Sequence, residues 1–77
     1  MQPTDKEYSA VMAAKVKAEK WFADYGASVR VREKRIHCAW RLQVDIHGLI
    51  KPLESWPRHF DGYSCHVFVD GHARRLP

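Results

Sequence analysis

The stretch Ile36-His37-Cys38-Ala39-Trp40-Arg41-Leu42-Gln43-Val44-Asp45-Ile46-His47 decides the fold. Apolar residues recur in it at every second position, the pattern of a strand that buries one face and wets the other. Ile36, Cys38, Trp40, Leu42, Val44 and Ile46 make the inner face of this strand, about 36–47, while His37, Arg41, Gln43, Asp45 and His47 point the other way. A sheet divided in this manner needs a second layer over its apolar side.

The neighbouring segments continue the alternation. Val29-Arg30-Val31-Arg32 has its valines inward and its arginines outward, which predicts a strand over about 28–33. A two-residue turn at Glu33-Lys34 sets Val31 opposite Ile36 and Val29 opposite Cys38, so the apolar faces stay together, although Glu-Lys is poor chemistry for a tight primed turn. Downstream, Tyr63, Cys65, Val67 and Val69 alternate with Ser64, His66, Phe68 and Asp70 in a third strand, about 63–70, closed by the turn signal Asp70-Gly71. Residues 48–62 carry Pro52 and Pro57 between Gly48 and Gly62 and read as a long loop, which Trp56 and Phe60 fold back on the edge of the core. His72 to Pro77 is a basic tail.

The covering layer lies upstream. At about 100° per residue Tyr8, Val11, Ala14, Ala18, Trp21, Phe22 and Tyr25 fall in one arc opposite Lys6, Lys17, Lys20 and Asp24, which predicts an amphipathic helix over about 5–25. Thr4-Asp5-Lys6-Glu7 is a capping box, Pro3 and Tyr8 are spaced as a hydrophobic staple, and Gly26 takes the left-handed position after the last turn. The expected fold is α+β: one N-terminal amphipathic helix packed on a three-stranded antiparallel β-sheet, in the order α-β-β-β, in a single domain over 1–77.

A chain of 77 residues has room for one core, and its 45% hydrophobic and 29% charged content is too apolar for disorder. Its start lacks a basic segment followed by an apolar one, and no apolar run reaches bilayer length, so a cytoplasmic protein with no membrane partner is expected. Two cysteines, Cys38 and Cys65, are too few for a disulfide scaffold, and reduced thiols are the simpler reading.

The net charge of +4 is unevenly placed. Residues 1–26 and 52–77 each sum to zero, whereas Arg30, Arg32, Lys34, Arg35, Arg41 and Lys51 against Glu33 and Asp45 give six minus two, the whole excess. A patch of this kind attracts anionic partners.

Catalytic and metal chemistry find little purchase. Pairing Cys38 with Cys65 also pairs His37 with His66, but adjacent strand residues face opposite ways, so the four cannot close one zinc site, and no CxxC or HxxxH spacing is present. Both cysteines alternate with core residues, whereas a thiolate catalyst needs an accessible, electropositive sulfur. There is no Gly-rich phosphate loop, no carboxylate pair, and no nucleophile-elbow context for Ser9, Ser28, Ser55 or Ser64. No cofactor, metal or catalytic residue is assigned.

The outward sheet face offers more. Arg30, Arg32, His37, Arg41, His66 and Phe68, with Lys34 and Arg35 at the hairpin tip, form an open basic platform once the helix covers the other side, and Trp56 and Phe60 add a secondary contact loop. The first expectation is a small non-enzymatic protein that occupies a surface of a larger protein partner, in the manner of the inhibitors carried by phages and mobile elements, anti-CRISPR proteins among them. That analogy rests on size and lack of motifs, and no family is assigned on it. The second is nucleic-acid binding by the basic face, although stacking platforms usually carry two or three aromatics. A zinc- or thiol-dependent activity comes third, and a sheet edge is open to a homodimer mate or a partner strand.

Overall fold

In the computed structural model, which describes residues 5–76, one helix, α1 (Asp5–Phe22), lies on a five-stranded mixed sheet. The strands are β1 (Gly26–Ile36), β2 (Ala39–Leu49), β3 (His59–Phe60), β4 (Tyr63–Val69) and β5 (His72–Arg74). The α+β class and the N-terminal helix are as expected, but the sheet is neither three-stranded nor wholly antiparallel. β2 pairs antiparallel with β1 and parallel with β4, and β3 and β5 both pair antiparallel with β4. The order is β1-β2-β4-β3, with β5 also beside β4.

The parallel pair follows from the connection. Residues 50–62 link β2 to β4, a run long enough to cross over and return in the same direction, which a tight hairpin turn cannot do. The expected loop, 48–62, therefore contains the end of β2 and all of β3, and it places Leu53, Trp56 and Phe60 in the core.

Three two-residue turns set the antiparallel pairings. His37-Cys38, Asp61-Gly62 and Asp70-Gly71 have positive φ at both residues, as a type I′ hairpin requires. The first of these replaces the expected turn at Glu33-Lys34: Ile36 pairs with Ala39, so Val31 stands opposite Val44 and Val29 opposite Ile46. The longer hairpin keeps Val29 and Val31 in line with Ile46 and Val44 while lengthening the ladder toward the tip, where Glu33 and Arg35 stand opposite Leu42 and Trp40. Leu42, Val44 and Ile46 hold the inner face, but Cys38 moves to the exposed tip, Ile36 becomes exposed and Trp40 is half-buried. The expected Cys38–Cys65 and His37–His66 pairings are thereby removed, since Cys65 lies beside Leu42 and His66 beside Gln43. Residues 72–74 of the expected tail are the strand β5.

The helix ends at Phe22 rather than near 25, and the Tyr25 N–H donates to the Phe22 carbonyl at 3.0 Å as the chain turns out. Val11, Ala14, Ala18 and Phe22 are fully buried on β1 and β2, whereas Tyr8 and Trp21 sit at the rim. Tyr8 meets Trp40 edge-on with ring centres 6.0 Å apart, and Trp21 stacks on Tyr25 at 5.2 Å. Gly26 does not supply a left-handed cap. It begins β1, where a Cβ would come within 2.5 Å of Ile46 Cγ2, so its role is to let the chain pass close to the core. Thr4 and Pro3, expected in the cap and staple, lie outside the described residues.

Candidate binding face

The register assigns each side chain of the hairpin to a face. Val29, Val31, Glu33 and Arg35 pair with Ile46, Val44, Leu42 and Trp40 and share their helix side. Arg30, Arg32, Lys34 and Ile36 pair with Asp45, Gln43, Arg41 and Ala39 on the side that no helix covers. β4 adds Ser64, His66 and Phe68 to that outer side, next to Arg41, Gln43 and Asp45.

This sorting revises the basic platform. Arg35 belongs to the helix side, where its guanidinium lies 5.9 Å from the centre of the Trp40 ring, and Lys15 Nζ lies 3.6 Å from Glu33 on the same side. His37 is in the hairpin turn, beyond the last strand pair. Arg32 is on the outer face but engaged: its Nη2 and Nε reach Asp45 Oδ2 at 2.8 and 3.2 Å, and Gln43 Nε2 donates to the same carboxylate at 3.2 Å. Arg30, Lys34 and Arg41 remain, and among the described residues none of the three has an ion-pair partner. Four cations against Asp45 leave the outer face at +3.

Lys34 and Arg41 are direct cross-strand partners, an arrangement that costs stability because like charges stand opposite one another. Around them Lys34, Ile36, Arg41, Gln43, His66 and Phe68 line an open groove of about 320 Å³. The half-buried Phe68 supplies the one aromatic carbocycle of this lining, and Lys34 and Arg41 supply its positive charge. The imidazole of His66 has its pKa pushed below the ordinary 6.5, first by partial desolvation of the ring and then by the Arg41 charge, so it is neutral at pH 7. Phe68 has no second Phe, Tyr or Trp beside it on the outer face of β1, β2 or β4.

The secondary loop contacts take another place. Trp56 and Phe60 are 8% and 9% exposed and pack in the core, Phe60 with its ring centre 6.3 Å from that of Phe22, so little of either is left to meet a partner. The thiols also separate: Cys38 is exposed at the hairpin tip, whereas burial pushes the Cys65 thiol up to about 11, and both are free. Among the described residues no three His, Cys, Asp or Glu side chains gather as metal ligands.

A second basic cluster was hidden from linear charge counting. Folding β5 back along β4 brings Arg74 and Arg75 to Arg58 in a groove of about 280 Å³ with Trp56, Cys65 and Leu76. Residues 52–77 are neutral in sum, but Asp61 pairs with Lys17 at 2.7 Å and Asp70 accepts from the Gly48 N–H at 3.1 Å, so their carboxylates are engaged elsewhere. Only the hairpin signal at Asp70-Gly71 pointed to this return.

No described helix is long and apolar enough to cross a membrane. No protein-family model, curated protein or solved structure matches the chain. The face defined above is that of a small α+β domain with one covered and one open side to its sheet.

Proposed function

We propose that this is a non-enzymatic binding protein that acts by occupying an acidic surface of a larger protein partner with the outer face of its sheet. The observation that carries the reading is the Lys34–Arg41 cross-strand pair, two like charges held together beside the Phe68 groove with no carboxylate between them. Such a pair weakens the free fold, and an anionic partner relieves it. A protein groove built to hold DNA is itself basic and would repel this face, so the partner presents carboxylates. Phe68 alone is a poor stacking platform, which places single-stranded nucleic acid second.

The test is affinity capture from cells that naturally carry the protein, comparing wild type with the Lys34→Glu/Arg41→Glu double variant. Arg32 is left intact, because reversing it would strand Asp45. A partner lost with the reversal supports the reading; one retained overturns it. In parallel, a labelled single-stranded oligonucleotide is titrated with salt: binding whose logarithm falls by about 0.7 per phosphate neutralised would put nucleic acid first.

A further inference from the structure

Among the described residues no strand pairs with the edge of β1 away from β2. From Ser28–His47 to Ile36–Ala39 the pairing with β2 is continuous, and the turn at His37-Cys38 closes on a hydrogen-bonded pair, Ile36 with Ala39. Hydrogen-bonded and non-bonded pairs alternate in such a ladder, so Val29, Val31, Glu33 and Arg35 turn their N–H and C=O groups away from β2. The Asp70 N–H donating to the Ile46 carbonyl at 2.8 Å agrees, since it shows that Ile46, opposite Val29, is bonded toward β4. A groove of about 580 Å³ runs along this edge, lined by Ser28 to Arg32 on β1, by Lys15 and Glu19 on the helix, and by Asp45 and His47.

A second copy of the chain is a poor occupant. In a two-fold antiparallel pairing that keeps both helices on one side, outer residues meet outer residues. An axis at Arg30, Val31, Arg32, Glu33 or Lys34 then sets Arg30 on Arg30, Arg30 on Arg32, Arg30 on Lys34, Arg32 on Lys34 or Lys34 on Lys34. Every such register opposes cations.

We infer that the β1 edge receives an extended acidic segment of a partner protein as an added strand, with carboxylates beside Arg30 and Lys34, on either side of the Arg32–Asp45 pair, and apolar residues beside Val29 and Val31. The main chain of that segment bonds the outward groups of Val29, Val31 and Glu33, and the alternation supplies the specificity. The inference rests on the preceding reading for the sign of the partner's charge, and it differs in using the edge rather than the groove around Arg41.

The probe is a fluorescein-labelled peptide of about seven residues with alternating glutamate and valine, followed by fluorescence anisotropy against the full chain. Controls are a peptide of the same composition with its glutamates in one block and an alternating peptide N-methylated at every second residue. The alternating peptide is expected to bind, the block peptide and the N-methylated peptide whose blocked amides face β1 to bind roughly tenfold or more weakly, and Arg30→Glu to weaken binding. Arg41→Glu, away from the edge, is expected to leave peptide binding within about threefold while still weakening capture of the native partner. Equal binding of the N-methylated and parent peptides, a loss with Arg41→Glu as large as with Arg30→Glu, or a dimer of the free chain by light scattering that Arg30→Glu dissolves would each overturn the inference.

Discussion

His37 and Cys38 hold the β1–β2 turn with φ of 51° and 65°, a conformation in which Asn and Gly are at ease and a cysteine is not. The His37→Asn/Cys38→Gly variant is therefore expected to be more stable by about 0.5–1 kcal/mol, read as a higher denaturation midpoint with unchanged slope. A lower midpoint would mean that side chains at the tip contribute contacts the backbone preference does not outweigh. His66 contributes a pH dependence to stability. Its folded pKa lies below 6.5, so in the window between the two values the unfolded chain binds more protons, and stability falls as the pH drops from 6.5 through the folded value. Above 6.5 the effect vanishes. Urea titrations across this window should show the slope in the wild type and a flatter one in His66→Gln. The choice of turn was not legible by propensity, since neither Glu33-Lys34 nor His37-Cys38 is a favoured turn pair. What separates them is packing: turning at 37–38 matches Val29 and Val31 to Ile46 and Val44, which are fully buried, whereas a turn at 33–34 would have matched them to residues nearer the tip.

At the level of elements, the β1–β2 hairpin combines a core face with a self-repelling outer one. Lys34→Glu converts the Lys34–Arg41 opposition into a cross-strand ion pair, and the free protein should gain about 0.2–1 kcal/mol while its capture of the native partner falls. Calorimetry and the capture assay read the two effects separately; a variant that loses stability and binding together would indicate a structural role for Lys34. The inner rows of β2 and β4 were readable from period alone, because Leu42, Val44, Ile46, Cys65, Val67 and Val69 alternate without interruption. The direction of β4 relative to β2 was not, since a period of two is the same in parallel and antiparallel pairs. The length of the 50–62 connection held that information, and the Asp61-Gly62 pair within the 48–62 segment was an unread hairpin turn. For the outer face, Arg30 and Arg41 were legible from alternation, but the place of Lys34 within the strand rather than at the tip, the engagement of Arg32 by Asp45 and the inward side of Arg35 depended on register.

For the molecule as a whole, one layer of helix and one of sheet give an elongated body of 39 × 21 × 18 Å, and the eleven-residue strands of the hairpin account for the long dimension at about 3.3 Å per residue. The thiols lie in opposite environments of this body, one at the exposed tip and one in the core, so a thiol reagent at neutral pH should label Cys38 within the native protein and Cys65 only on unfolding. Simultaneous labelling of both in native buffer would show that the inner face of β4 opens readily. The continuous pairing of β1 with β2 also has a consequence in time. Along β1 the amide protons of Arg30, Arg32 and Lys34 are locked toward β2, whereas those of Val29, Val31, Glu33 and Arg35 face outward. Transferred to deuterated water, the strand should therefore lose its protons in a fast-slow-fast rhythm, residue by residue. Anything that seats itself on that edge will announce its arrival by slowing the odd-numbered beats and leaving the even ones as they were.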